Sequence, residues 1–458
     1  MRSVRYHGFL LALGALAAAM IVDAAPRTVG KPNFVLLLAD DLGYGDLGVY
    51  GHPSIRTPHL DRMAAEGMRL TQFYSASPLC TPSRAALMTG RLPVRFKLNG
   101  VLPPVTNDGL PDDELTLGEI LQKAGYRTAC IGKWHLGRKP RYMPARHGFD
   151  VFFGLPYSND MSRRTNPGHP IYRLRVVPPL PLMRGLEVIE EEPDQSQLTR
   201  RYTEEAFQFL RDANREGRPF FLYLAYTAPH PPLHASERFL GRSPRGLYGD
   251  AVEELDWSVG EVLHELRRLG MERDTLVLFT SDNGPWLAKK ERGGSPGPFR
   301  EGKGSTWEGG VRVPLVARWP GRIPAGVKSP AFATMMDILP TLAAAAGVDL
   351  PRDRTYDGAD LASVLFENGA GREPLLYLWV RDELRAMRKG NWKLHAITNH
   401  PARRTRKTRA HNPPLLFDLA TDLREERNVA ASNPEVVGEL EALMQEHRRA
   451  VLGERNGR

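Results

Sequence analysis

Cys80-Thr81-Pro82-Ser83-Arg84 runs directly into Ala85-Ala86-Leu87-Met88-Thr89-Gly90-Arg91, and Cys80 is one of only 2 cysteines in 458 residues. A thiol, a helix-starting proline and an arginine four residues on make a candidate nucleophile beside a fixed cation. Taken alone, the segment also reads as a buried structural cysteine ahead of a helix. Other reactive residue types recur along the chain: Asp40-Asp41, Lys133 and His135 within Gly132–Gly137, His230, Asp282-Asn283-Gly284, and Lys303 between Gly302 and Gly304. The carboxylates of Asp40, Asp41 and Asp282 with the amide of Asn283 form an all-oxygen set, suited to Ca²⁺ or Mg²⁺ and poor for soft metals. An Asp-Asn-Gly run after a strand is also ordinary turn chemistry. A lone lysine is usually a solvated charge. Two lysines held between small residues, with two histidines, would instead complete an electropositive pocket for sulfate or phosphate.

Something must bring these distant segments together, and the hydrophobic pattern supplies it. Asn33–Ala39 is a continuous apolar run suited to a strand buried on both faces. Runs over 127–131, 220–226 and 275–280 repeat the pattern, alternating with helices predicted over 198–211 and 250–269. Thr57-Pro58 opens a helix that Gly67 closes, Thr116 caps another ending at Gly125, and 336–346 is a further helix stopped by Gly347. The chain therefore reads as α/β, with a large, mostly parallel sheet flanked by helices. In such a sheet ligands bind at the carboxyl ends of the strands, where Asp40-Asp41, Lys133, His135, His230 and Asp282-Asn283 all fall. Residues 140–197, rich in proline, arginine and glycine, read as surface loops forming a substrate rim. After about residue 372 short strands follow, at 375–379, 385–389, 392–395 and 415–418, then a helix over 435–451. That describes a small antiparallel sheet with one helix, so the expected division is 25–372 for the catalytic part and 373–458 for the C-terminal part.

Residues 1–24 carry Arg2 and Arg5, then an apolar run from Phe9 to Val22 and a small-residue cleavage site, which is the pattern of a secretory leader. The run is short for a membrane span, and no similar run follows. Two cysteines allow no disulfide framework, and the chain has no Asn-x-Ser/Thr acceptor, which together suit a periplasmic or secreted bacterial protein. Cys130, in an apolar run, reads as an inert core residue. The net charge of +9 suits encounter with anionic ligands, and no pattern in the chain points to nucleic acid. Arg403–Arg409 reads as a solvated, mobile loop, with a grip on sulfated polymer as its secondary reading.

Taken together, Cys80–Arg91, Ala39-Asp40-Asp41, Gly132–Gly137, Ser281–Gly284 and Gly302–Gly310 resemble the formylglycine-dependent sulfatase family, over essentially the whole chain from Lys31 on. Pro156-Tyr157-Ser158-Asn159-Asp160 is similar to the arylsulfatase A branch, and Phe239–Val252 to the N-acetylgalactosamine-6-sulfatase branch. The resemblance implies an alkaline-phosphatase-like fold and a partner, the formylglycine-generating enzyme, that oxidises Cys80 to Cα-formylglycine. The hydrate of that aldehyde offers two hydroxyls: one attacks sulfur, and loss of a proton from the other re-forms the aldehyde and releases sulfate. It further implies that Asp40, Asp41, Asp282, Asn283 and residue 80 hold the cation, Ca²⁺ with Mg²⁺ as the alternative. By the same resemblance Arg84 and His135 hold and deprotonate the hydrate. Lys133, Lys303 and Ser158 bind sulfate oxygens, and His230 protonates the leaving oxygen. The expected substrate is an aryl sulfate or a sulfated saccharide. Two alternatives stay open: a phosphodiester or phosphonate monoester hydrolase using the same aldehyde, and a non-catalytic polyanion-binding protein if Cys80 is never modified.

Overall fold

The computed structural model describes Met1 and residues 30–162, 177–401 and 405–456, so the leader read in residues 1–24 lies outside the described residues apart from Met1. In chain order the elements are β1 (Asn33–Ala39), α1 (Pro58–Ala65), β2 (Met68–Tyr74), α2 (Cys80–Thr89), α3 (Leu117–Lys123), β3 (Arg127–Lys133), β4 (Val151–Leu155), β5 (Pro181–Arg184), β6 (Glu187–Glu191), α4 (Leu198–Glu216), β7 (Phe220–Ala225), α5 (Leu247–Arg268), β8 (Thr275–Ser281), α6 (Glu308–Val311), β9 (Leu315–Arg318), β10 (Val327–Thr334), α7 (Ile338–Ala345) and α8 (Ala362–Glu367). The C-terminal part adds β11 (Leu375–Val380), β12 (Glu383–Lys389), β13 (Trp392–His400), β14 (Thr405–Asp418) and α9 (Pro434–Asn456).

A ten-stranded sheet runs β10-β2-β9-β8-β1-β7-β3-β4-β5-β6, and a four-stranded sheet runs β11-β12-β13-β14. Pairing is parallel across β8, β1, β7, β3 and β4, while β9, β5 and β6 are antiparallel to their neighbours. The small sheet is antiparallel throughout. All seven side chains of β1 are buried, as its apolar run requires. Phe34, Leu36 and Leu38 pack on one face with residues of α2, α3 and α7. Val35, Leu37 and Ala39 pack on the other with residues of α1, α4 and α5. This is a three-layer α/β architecture with a small sheet and terminal helix beside it.

Two expectations need correcting. Residues 140–197 are not all loop: Val151–Leu155 is a strand paired in register with β3, and β5 and β6 form a hairpin turning at Gly185 with φ 58°. Nor is the basic run a loop as a whole. Residues 403 and 404 lie outside the described residues, and from Thr405 the chain is an edge strand that pairs Arg409 with Thr398 of β13.

Candidate active site

Four adjacent parallel strands, β8, β1, β7 and β3, end at one crevice, with Ala39 in register with Ser281, and Leu38 and Gly132 both in register with Ala225. The polar residues that follow them therefore converge, as the strand-end rule requires. Gly132 shows how tightly. Its φ is +104°, and a Cβ there would collide with the carbonyl of Ala225, so only glycine lets β3 deliver Lys133 beside β7. Asp41 and His135 also adopt left-handed backbone, at φ 61° and 59°. Such conformations cost energy in non-glycine residues and concentrate at functional sites.

Cys80 is the first residue of α2 and lies on the cavity wall. Its Sγ is 3.1 Å from Lys303 Nζ and 3.9 Å from Asp41 Oδ1. Lys303 Nζ lies 2.7 Å from Asp41 Oδ1, and Lys133 Nζ lies 2.6 Å from Asp40 Oδ2 and 3.1 Å from Ser158 Oγ. Arg84, fully buried one turn into α2, donates from Nε to Asp282 Oδ2 at 2.9 Å and from Nη1 to Lys133 O at 2.8 Å; its Nη2 is 3.4 Å from Asp40 Oδ1. Asp282 Oδ1 accepts from the Asp41 amide, and Asn283 Nδ2 donates to Asp41 Oδ1 at 2.8 Å. Ser75 and Ser83 both donate to the Asp282 carbonyl, a tether the sequence reading did not foresee. Nine of the eleven candidate residues thus fall in one linked cluster; His230 joins it through Asp41, and His135 lines the same cavity.

The histidines differ in which ring nitrogen is left over. His135 Nε2 lies 3.1 Å from the Leu102 carbonyl, so it carries the proton and donates, leaving a buried Nδ1 without a partner. His230 Nδ1 donates to the Pro231 carbonyl at 2.6 Å, which turns Nε2 toward Asp41 Oδ2 at 3.5 Å. Burial, reinforced by the charges of Lys133 and Arg84, holds His135 well below the usual histidine range, and burial with Lys303 lowers His230. Burial would raise Asp40, but Lys133, His230 and Arg84 hold it well below the usual carboxylate range. The Cys80 thiol is pushed up to about 12 by burial, against the opposing pull of Lys133 and Lys303. An unmodified Cys80 is therefore a neutral thiol at ordinary pH and a weak nucleophile.

The donors fit a hard cation. Ligand atoms of Asp40, Asp41, Cys80 and His230 all lie within 4.8 Å of one another. Asp40 Oδ1 and Asn283 Oδ1 are buried oxygens without a hydrogen-bond partner, which a cation would satisfy. His230 joins this group, although the sequence reading gave it the role of an acid and not of a ligand. Three carboxylates face Lys133, Lys303 and Arg84, so an added dication would leave the crevice positive and ready for an anion.

Above the crevice opens a cavity of about 1200 Å³, walled by Cys80, His135, Ser158, His230 and Lys303. Trp286, Arg381 and Asn399 also line it and were missed: Trp286 and Arg381 lie in a loop and a turn, which carry no periodic signal, and Asn399 lies on β13, whose place against the cavity depends on how the small sheet packs. The Trp286 ring lies 5.4 Å from that of His230, with Lys303 Nζ 4.8 Å from its centroid. Thr408 of β14 also lines the cavity. Among the described residues no helix is long and apolar enough to cross a membrane.

The sulfatase family profile matches residues 32–348, and that of the C-terminal region of aryl-sulfatase matches 370–456. The chain is 44% identical to arylsulfatase A of Bos taurus over 454 residues, covering 93% of this chain and 89% of that protein. It is 46% identical to N-acetylgalactosamine-6-sulfatase of Rattus norvegicus over 408 residues, covering 85% and 74%. The fold matches the crystal structure of the PsFucS1 sulfatase from Pseudoalteromonas sp. with TM-score 0.84 and 33% identity, covering 93% of this chain and 91% of that one. It also matches Ps i-CgsB, solved in complex with k-i-k-neocarrahexaose, at TM-score 0.80 and 31% identity, covering 92% and 93%. With both profiles matched and these identities carried over most of its length, the chain belongs to the sulfatase family, the sulfuric ester hydrolases.

Proposed function

We propose that this chain hydrolyses sulfate monoesters of saccharides and aryl alcohols at residue 80, after a formylglycine-generating enzyme has oxidised Cys80. One hard divalent cation, Ca²⁺ in preference to Mg²⁺, belongs on Asp40, Asp41, Asp282, Asn283 and residue 80. The observation that carries the reading is the setting of Cys80: a thiol too weakly acidic to act as such, on the cavity wall, 3.1 Å from a buried lysine and beside the paired aspartates. When hydrated, the aldehyde supplies an oxygen nucleophile and a second hydroxyl through which sulfate leaves without attack of water on sulfur. A cation held by these residues would polarise oxygen and offset negative charge there.

The remaining roles fall to groups already in place. Lys133 and Lys303 point ammonium groups at the position next to residue 80, with Ser158 Oγ beside the first, and together they hold the sulfate oxygens. Neutral His135, with Nδ1 left over, takes the proton released on attack. His230, held through Nδ1 on the Pro231 carbonyl, turns Nε2 into the crevice, and a proton taken up there from solvent passes to the leaving alcohol oxygen. Arg84 positions rather than reacts: buried against Asp282 and the Lys133 carbonyl, it fixes the metal-side carboxylate and the end of β3.

Sulfated galactose-type glycans are the preferred natural substrate. The likeness of Phe239–Val252 to the galactosamine sulfatase branch supports this, as does the sugar-bound structure of a similar fold. The leader pattern read in residues 1–24 supports a reaction outside the cytoplasm. The test is sulfate release, followed by ion chromatography, from a panel of sulfated saccharides and aryl sulfates, run beside aryl phosphodiesters on one modified preparation. Efficient phosphodiester cleavage with no sulfate release would overturn the proposal.

A further inference from the structure

We propose that Arg381 and Asn399, on the C-terminal sheet, form a second subsite that binds an anionic group and a hydroxyl on the sugar next to the one whose sulfate ester lies at residue 80. The proposal rests on the sulfate-ester reading of that site and concerns what else the substrate must carry.

Size comes first. Small-molecule sites usually enclose about 300–1,000 Å³. This cavity, at about 1200 Å³, exceeds that, and its wall extends from Cys80 to the β11–β12 turn and the end of β13. A sulfate with one sugar ring would leave the outer part unfilled.

Charge decides what that outer part prefers. Four ionisable residues of the β11–β12 region line the wall: Arg381, Asp382, Glu383 and Arg385. Asp382 is engaged by Asn99 Nδ2 at 3.0 Å and by Arg455. Glu383 is engaged by Arg385, which donates to it from Nε at 3.0 Å and Nη2 at 2.7 Å. Across the cavity, Asp160 acts on Lys289 and His230. Arg381 is exposed and, among the described residues, has no ion-pair partner. Its backbone sits at φ 55°, a turn position a glycine would fill without strain, yet an arginine occupies it and reaches the cavity wall. With both neighbouring carboxylates neutralised, Arg381 is, among the described residues of the β11–β12 rim, an uncompensated guanidinium, a shape that takes sulfate or carboxylate through two parallel hydrogen bonds.

Asn399 supplies the second contact. Its Nδ2 donates to the Gly304 carbonyl at 2.8 Å, next to Lys303, which fixes the amide orientation. Its Oδ1 is then a buried acceptor without a partner, on a residue that lines the cavity. Such an oxygen is costly unless it is paired, and a sugar hydroxyl would pair it.

The test uses the modified enzyme with Arg381→Ala, Arg381→Lys and Asn399→Ala. Four substrates are needed: a sulfated monosaccharide, a sulfated disaccharide with a neutral second ring, one with a second sulfate there, and one with a uronic acid there. Arg381→Ala should raise KM about five- to tenfold for a disaccharide with a charged second ring while leaving kcat and the two other substrates unchanged. Arg381→Lys should recover part of that loss. Whichever charged disaccharide responds identifies the anion as sulfate or carboxylate. Asn399→Ala should raise KM for all the disaccharides and not for the monosaccharide. Equal shifts on all four substrates, or none with either charged disaccharide, would overturn the subsite. Failure of the parent enzyme to release sulfate from any of them would overturn the sulfate-ester reading as well, and is recognised before any variant is made.

Discussion

Replacing Lys303 with alanine removes a single ammonium from the crevice, and the structure sets the size of the effect. Its side chain is only 10% exposed, and Nζ lies 2.7 Å from Asp41 Oδ1 and 3.1 Å from Cys80 Sγ. Burial would lower its pKa, but Asp41, Cys80 and Asp40 together raise it well above the ordinary lysine value, so the group is charged throughout the working range. A hydrogen bond from a charged donor contributes about 1.5–3 kcal/mol. At about 1.4 kcal/mol per decade, one such bond to a sulfate oxygen in the transition state corresponds to roughly a 10- to 100-fold fall in kcat/KM. Lys303→Arg should recover little, because a planar fork does not reproduce a point charge in that space. The assay is hydrolysis of an aryl sulfate by protein matched for modification at residue 80, with melting curves to confirm the fold. A kcat/KM within threefold of the parent would refute the assignment of Lys303 to the sulfate.

Three further outcomes are expected. Lys393→Met removes the cation between Glu308, at 2.8 Å, and Glu425, at 3.1 Å, all buried where the small sheet meets α6. Leaving buried carboxylates short of a cation typically costs about 3–5 kcal/mol, so the urea midpoint should fall clearly, and an unchanged midpoint would contradict the clamp. His447 stacks on Tyr377 at 3.6 Å and accepts from Trp379 Nε1, and burial lowers its pKa to about 4. Because the folded state prefers the neutral ring, this contribution is intact above the unfolded value of about 6.5 and is lost as pH falls from there toward 4. His447→Gln should flatten that part of the melting-temperature profile, and an identical slope in the variant would count against it. Finally, a strong chelator should abolish turnover and Ca²⁺ should restore it, with about one divalent ion per chain by elemental analysis and none bound to Asp282→Ala. Full activity in metal-free protein would contradict this.

The strands that build the crevice were legible because each is a continuous apolar run, buried on both faces and ending in a polar pair. Asn33–Ala39 followed by Asp40-Asp41 is the clearest case. Convergence followed from the parallel-sheet rule alone, and β8, β1, β7 and β3 prove to be neighbours. Other strands left weaker traces. Met68–Tyr74 mixes buried and half-buried positions, Leu315–Arg318 has four residues, and Val327–Thr334 carries Pro330. Val151–Leu155 carries an apolar signal that the surrounding prolines and arginines masked. Within the site, residue types and strand ends pointed to the carboxylates and the amide that meet in the crevice. Arg381 and Asn399 were beyond reach, since their place on the cavity wall depends on how the small sheet packs against the large one.

The most direct test is the mass of the peptide containing Cys80, taken from protein made with the modifying enzyme and assayed for sulfate release in the same preparation. The account predicts that turnover scales with the fraction of peptide in which H₂S has been exchanged for O. Cys80→Ala should be folded and inactive, and Cys130→Ala, in the apolar core, should stay active. Full sulfatase activity in protein whose Cys80 peptide carries only the unmodified thiol would contradict it.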